Sequence, residues 1–195
     1  MSKDLNLIHP KLRKIVRILI GQCEDQGLPI LITDGFRTQS EQDRLYNQGR
    51  TTAGIVVTNV KWPDSAHNWG VAVDFCRNVK GREYDDSDNF FEKVAMIGKK
   101  LGLEWGGDWN KFVDKPHLQL PEYMPGNNTR WLKTVYRSPD VFRGCWNDDV
   151  PSEWARDACE WAVEQGIIKG DENGEYHWQD ALTLERFCQI LYNMR

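Results

Sequence analysis

Two histidines and an aspartate, His67, Asp74 and His117, fall in two short motifs, Ser65-Ala-His67-Asn-Trp-Gly70-Val-Ala72-Val-Asp74 and Asp114-Lys-Pro-His117. Two imidazoles and a carboxylate are the three-protein-ligand set of a catalytic zinc site, whose fourth position is left to water. The 195-residue chain has only four histidines, and two of them lie in these motifs. The donor types favour zinc over calcium or magnesium, which prefer all-oxygen shells. Asp114, three residues before His117, is placed to serve as a base beside the metal. Its other readings are a partner that orients a ligand imidazole and a plain surface carboxylate. Cys76 shares a strand face with Asp74 and could be a ligand, but the set is complete without it. Arg37 follows a strand and opens a loop, a usual place for functional side chains; its plain alternatives are a solvated arginine and a partner for Asp34. Ser65, Trp69, Trp105 and Trp109 lie in or beside the motif segments and are the expected lining of a substrate pocket.

These residues need elements to position them. Leu12, Ile15, Val16, Leu19 and Cys23 recur at helical spacing and predict a helix over 11–26, with Gly27 as its cap. Pro29 to Thr33 reads as a short strand that delivers Asp34-Gly35-Phe36-Arg37 at its exit. Ser40 is expected to cap a helix through Gln48, with Asp43 at the capping-box position. Ile55 to Thr58 reads as another short strand, and Phe90 to Leu101 as a helix stopped by Gly102. Gly70 to Cys76 alternates, with Val71, Val73 and Phe75 on one face and Ala72, Asp74 and Cys76 on the other. His117-Leu118-Gln119-Leu120 alternates too, placing His117 and Gln119 together. If both segments join one sheet, Asp74 and His117 converge on a polar face over an apolar core. His67 reaches the same place only through a sharp turn, which Gly70 permits.

The fold class that follows is α+β: a small antiparallel sheet with flanking helices over residues 1–124, then a 125–145 linker marked by Pro, Gly and Asn, with a short ordered piece expected around Trp131 to Tyr136. A small all-α module is expected over 146–195. It has a helix from Glu153 to Gln165, with Trp154, Ala158, Trp161 and Ala162 on one stripe, a turn at Gly170 to Gly174, and a second helix from about Thr183. So small a core is marginal, and suggests packing on a neighbour or on copies of itself.

Composition excludes several function classes. The net charge of −4, without any long Lys/Arg run, argues against a nucleic-acid partner. Five scattered cysteines, odd in number and without a CxxC pair, read as reduced thiols. The N-terminus has no apolar signal core, and no stretch is long enough for membrane insertion. Synthesis in the cytoplasm is expected, with export by another agent.

The pattern Ser-x-His-x-x-Gly-x-Ala-x-Asp at 65–74, with Asp-x-Pro-His at 114–117, resembles the zinc D-Ala-D-Ala metallopeptidases, the VanY-like M15 group that includes phage endolysins. Gly35-Phe-Arg37-Thr, the segment from Gln42 through Leu45-Tyr46-x-Gln48-Gly49-Arg50-Thr51, Ile55-Val-Val-Thr58-Asn59 and Leu103-Glu-Trp105-Gly-Gly-Asp-Trp109 resemble its L-alanyl-D-glutamate endopeptidases. The resemblance implies one Zn2+ per chain on His67, Asp74 and His117, with Asp114 as base where some relatives have glutamate. It implies for Arg37 a role in binding a substrate carboxylate or a developing oxyanion. The implied function is a peptidoglycan hydrolase of the endolysin type, set free by a holin-type partner to cut the L-Ala–D-Glu bond of the stem peptide. The rivals are a D,D- or L,D-carboxypeptidase on the same scaffold and a non-catalytic wall-binding protein, against which Asp114 and Arg37 argue. The tail, from Trp146 to Trp154 and through Gly166-Ile-Ile-Lys-Gly170-Asp and Leu182-Thr183, is similar to one S-layer homology module. It departs by being a single copy and by having Leu184-Glu185-Arg186 where Arg-Ala-Glu is usual. That likeness implies binding to a secondary cell-wall polymer, with self-association as the rival.

Overall fold

A computed structural model describes residues 3–146, 156–169 and 191–192. The chain divides into two units, Met1–Arg143 and Gly144–Arg195.

In the first unit, helix α1 (Pro10–Asp25) starts where Pro10 occupies the first turn and His9 caps it, accepting the Lys11 backbone N–H at Nδ1 (3.2 Å). Its inward stripe is Leu12, Val16, Leu19 and Cys23, all fully buried. Fully burying an aliphatic side chain of this size stabilises the fold by about 1.5–3 kcal/mol. Strand β1 (Ile30–Asp34) follows, and then helix α2 (Gln39–Asn47). The cap of α2 lies two residues earlier than the sequence suggested. Thr38 Oγ1 accepts from the Glu41 N–H and Glu41 Oε2 accepts from the Thr38 N–H, so the reciprocal box uses Glu41, not Asp43.

Strand β2 (Ala72–Arg77), helix α3 (Phe90–Lys100), strand β3 (Glu104–Trp105) and strand β4 (His117–Gln119) complete the framework. The sheet is antiparallel, in the order β1-β2-β4-β3. Val71, Val73, Phe75, Leu118 and Leu120 are fully buried, as the alternation requires. Helix α3 lies close over β4: a Cβ on Gly98 would come within 3.2 Å of the Leu118 side chain.

Two expectations change. The run 55–58 forms no strand; Ile55, Val56 and Val57 are exposed on a loop. Its backbone is tied to side chains instead of a ladder, with Arg50 donating to the Thr58 carbonyl (3.0 Å) and Gln48 to the Ile55 carbonyl (3.2 Å). The ordered piece expected within the linker is present, and structure continues beyond it through a second short helix. Helices α4 (Arg130–Tyr136) and α5 (Pro139–Gly144) bury Leu132 and Phe142. Phe142 stacks on His9 and packs edge-on against Trp69 and Tyr123. Aromatic surface of this kind does not stay in a solvated connector.

Of the second unit, helix α6 (Arg156–Glu164) is described; it ends at Gly166, whose φ is +68°. Ala162 is buried but Trp161, expected inward, is about half exposed. The start of that helix at Glu153, the 170–174 turn, the helix from Thr183 and most of the S-layer-like pattern lie outside the described residues. Among the described residues no helix is long and apolar enough to cross a membrane.

Candidate metal centre

Antiparallel pairing of β2 with β4 sets Asp74 directly opposite His117. Residues so paired have their Cβ atoms about 4.5–5.5 Å apart, and here Asp74 Oδ1 lies 3.1 Å from His117 Nδ1. His67 arrives from a 3-10 turn, Ala66–Trp69, that ends at Gly70 in the left-handed region (φ +67°). The Gly70 N–H donates to the His67 carbonyl (3.1 Å), and the Gly70 carbonyl accepts the His9 N–H (2.9 Å), so the turn is anchored to the start of α1. Ser65 and Asn68 close the turn from within, the Ser65 N–H donating to Asn68 Oδ1 (3.2 Å). His67 Nε2 then stands 3.3 Å from Asp74 Oδ1.

His67, Asp74 and His117 thus offer three ligand atoms within 4.8 Å of one another, and no other such group of His, Cys, Asp or Glu occurs among the described residues. The donor chemistry, two ring nitrogens and one carboxylate oxygen, fits a borderline-soft divalent cation such as zinc. Burial opposes ionisation of Asp74, but the charges and hydrogen bonds of His67 and His117 prevail and hold its carboxyl well below the usual range. Cys76 stands apart; its Sγ–H points to the Arg77 carbonyl, and burial together with the Glu83 charge pushes the thiol up.

Asp114 lies on the turn before β4. Its N–H donates to the Gly106 carbonyl (2.9 Å), and its own carbonyl accepts the His117 N–H (3.2 Å). Burial, then the charge of Asp74, pushes its carboxyl above the ordinary value, while His117, His67 and Arg37 pull the other way. The backbone bond to His117 places Asp114 at the centre's edge. A raised carboxyl is a better proton acceptor than an ordinary aspartate, which suits a base. The turn is clamped twice more, by the Trp105 indole N–H on the Lys115 carbonyl (2.8 Å) and by Lys115 on Asp86 (2.6 Å).

Arg37 is buried. Its guanidinium donates from Nε to Asp34 Oδ2 (3.0 Å), from one terminal nitrogen to Gln42 Oε1 (3.1 Å) and from the other to Asp34 again. Three of its five N–H donors are therefore taken. The nitrogen that meets Asp34 also lies 4.0 Å from Asp74 Oδ2. A register shift in β1 places Asp34 opposite Asp74, so Arg37 stands between two carboxylates that would otherwise repel.

The four pocket candidates separate. Trp69 has no exposed surface and its indole N–H is spent on the Pro63 carbonyl (2.7 Å), so it supports the floor and cannot touch a substrate. Ser65 and Trp105 are buried too, holding the two motif turns. Trp109 is the one partly open member; its ring lies 5.0 Å from that of His117. Gln42, Asn68, Glu104, Gly106 and Gln119 also build the site; the first four lie inside the motif segments without being singled out there, and Gln119 is marked by its shared face with His117.

Two imidazoles and a carboxylate grouped in this way, with a second, raised carboxylate on the adjoining turn, are the groups that a single-metal hydrolase centre requires. A family profile of the M15 peptidases, described as D-alanyl-D-alanine carboxypeptidase, matches residues 58–120. The peptidoglycan L-alanyl-D-glutamate endopeptidase CwlK of Bacillus subtilis (strain 168) is 40% identical over 122 residues, covering 58% of this chain and 73% of CwlK. The L-alanyl-D-glutamate peptidase of Listeria phage A118 is 34% identical over 130 residues, covering 65% of this chain and 42% of the phage protein, so the match spans less than half of that relative. The crystal structure of the Serratia marcescens L-Ala D-Glu endopeptidase ChiX is similar at 26% identity and a TM-score of 0.42, covering 60% of this chain and 82% of that one. The chain belongs to the M15 family of metallopeptidases.

Proposed function

We propose that this protein is a peptidoglycan hydrolase that cleaves the L-alanyl–D-glutamate bond of the stem peptide, with zinc held by His67, Asp74 and His117. The observation that carries the reading is the His67/Asp74/His117 cluster with Asp114 at its edge, in a chain 40% identical to an enzyme named for that bond. When bound, zinc supplies water acidified to a pKa near roughly 7 and polarises the scissile carbonyl. Asp114 takes the proton from the attacking water as its oxygen bonds to the alanyl carbonyl carbon. The same carboxyl returns that proton to the glutamyl nitrogen as the C–N bond breaks. Arg37 stands 4.0 Å from Asp74 Oδ2, and its two uncommitted N–H groups are the donors available to a substrate carboxylate or the developing oxyanion. Trp109, partly open beside His117, would give a bound substrate an apolar wall.

The C-terminal unit would retain the enzyme on the wall, through a secondary polymer or through self-association. Release from the cell interior by a membrane-permeabilising partner fits the likeness to a phage peptidase. Digestion of purified peptidoglycan, with the new termini identified by mass spectrometry, tests the reading. New N-terminal D-glutamate is expected. Release of terminal D-alanine alone would overturn it in favour of a carboxypeptidase.

A further inference from the structure

The two histidines turn opposite nitrogens toward Asp74, Nε2 in His67 and Nδ1 in His117. A ligand nitrogen carries no proton, so the proton of a neutral imidazole must sit on the other nitrogen, and an acceptor there fixes it. For His67 the acceptor is the Gly35 carbonyl, 2.8 Å from Nδ1, which has no other role to offer. For His117 the group 3.0 Å from Nε2 is the side-chain amide of Gln119. An amide presents either an acceptor or a donor, depending on which way it is turned.

The surroundings of Gln119 decide the turn. Its side chain is fully buried, and its amide nitrogen donates to Glu104 Oε2 (3.2 Å) and to Asn127 Oδ1 (3.2 Å). Strand pairing places Glu104 directly opposite Gln119. The other oxygen of Glu104 accepts the Trp109 indole N–H (2.7 Å), and that indole leans on the His117 ring. Both oxygens of Glu104 accept, so the nitrogen end of Gln119 must face Glu104 and its oxygen end must face His117.

We propose that Glu104 is a positioning residue for the metal centre: acting through Gln119, it keeps a proton on His117 Nε2 and leaves Nδ1 as the nitrogen that meets zinc. The proposal rests on the zinc reading given above. Glu104 touches neither the metal nor the scissile bond; it sets the orientation of the amide that meets His117 Nε2. If Glu104 and Gln119 served packing alone, an isosteric change at 104 would leave metal binding untouched.

Glu104→Gln keeps the shape but offers only one acceptor, which the Trp109 N–H claims. The nitrogen of Gln119 then faces an amide N–H2 at 104 and keeps only Asn127 Oδ1, itself an amide that can turn, so Gln119 is free to present its N–H2 to His117. Zinc affinity of the full chain, measured by competition with a chromophoric chelator, is expected to fall about 10–100-fold, the usual cost of losing a partner behind a metal-binding histidine. The exchanged double variant, Glu104→Gln with Gln119→Glu, restores the polarity: the carboxylate at 119 accepts from His117 and from the amide at 104, which still accepts from Trp109. It is expected to regain most of the lost affinity, an outcome that a packing role does not produce. Long-range 1H–15N spectra of the zinc-loaded parent are expected to show His117 bound through Nδ1 with its proton on Nε2. Parental zinc affinity in Glu104→Gln, a double variant weaker than the single one, or zinc on Nε2 would each overturn the proposal while leaving the zinc reading intact. A parent chain that binds no zinc would overturn both.

Discussion

Gly106 and Asp114 meet backbone to backbone: the Asp114 N–H donates to the Gly106 carbonyl at 2.9 Å, and a Cβ added to Gly106 would stand 2.5 Å from the Asp114 carbonyl oxygen and 3.1 Å from His117 Cβ. No flexible side chain can yield there, since the obstacle is main chain. The turn that carries the base and leads into a proposed ligand is seated on a residue with no side chain. Gly106→Ala is therefore expected to push the Asp114–His117 turn outward. Both kcat and zinc affinity should drop, with stability lowered by about 1–3 kcal/mol, the range for overpacking a tight contact. Calorimetry and chelator competition on the same preparation check it. An alanine variant with parental values in both would show that the turn is free to move.

Asp114→Asn removes the proton acceptor while keeping size and the backbone bonds of the turn. Zinc content should stay at one per chain by elemental analysis. Turnover on a stem-peptide substrate should fall about 10²–10⁴-fold, the usual contribution of a positioned base. Retained turnover would relegate Asp114 to a bystander.

Removing a ligand behaves differently. His67→Ala leaves two of the three donor atoms that lie within 4.8 Å, and Asp74→Asn exchanges the charged carboxylate for a weaker, neutral amide oxygen. Both variants are expected to lose bound zinc during dialysis that leaves the parent loaded. Asp74→Asn also relieves the opposition of Asp34 and Asp74 around Arg37, so its fold should persist by circular dichroism. Full zinc occupancy in either variant would rule out the ligand set.

His9 gives the fold a pH dependence of its own. Burial, opposed by the Glu122 charge and helped by Lys11, lowers its pKa from 6.5 to about 4, so the folded protein holds the ring neutral among Tyr123 and Phe142. The unfolded chain binds a proton there from about pH 6.5 downward and the folded one only near 4, so stability is lost as pH falls through that window and is complete above it. The loss at pH 4 is at most about 3 kcal/mol, at 1.36 kcal/mol per unit. His9→Asn keeps a side-chain cap for α1 without a titrating ring. Its melting temperature should vary less than the parent's between pH 6.5 and 4; an identical slope would put the sensitivity elsewhere.

Truncation distinguishes the two ends of the expected linker. A chain ending at Arg143 keeps Leu132 and Phe142 and is expected to bind zinc and melt as one unit. A chain ending at Ser138 loses Phe142 from the cluster with His9, Trp69 and Tyr123, and should be destabilised by about 3–5 kcal/mol. Equal stability of the two truncations would mean that α5 contributes nothing to the first unit.

Much of the framework could be read locally. Alternation over 70–76 and 117–120 reports the side on which each residue lies, because strand side chains have a period of two. The stripes of α1 and α3 and the turn at Gly70 are equally local signals. The 55–58 run misleads because β-branched residues describe a pleated, packed surface that this loop never meets. The helix at Pro139–Gly144 is not legible because Pro139 reads as a turn marker, whereas here it opens a helix. Ser40 and Thr38 compete for one cap, and Glu41 decides in favour of Thr38.

By itself, then, the sequence determined which residue types are present for the chemistry and which strand faces carry them, since both depend on identity and short spacing. The tertiary structure alone decided that Asp34 opposes Asp74 with Arg37 between them, that Trp69 is floor and Trp109 wall, and that Gln119 is oriented by Glu104. Those relationships join residues up to about forty positions apart through strand register and hydrogen-bond polarity, and no local pattern in the chain records either.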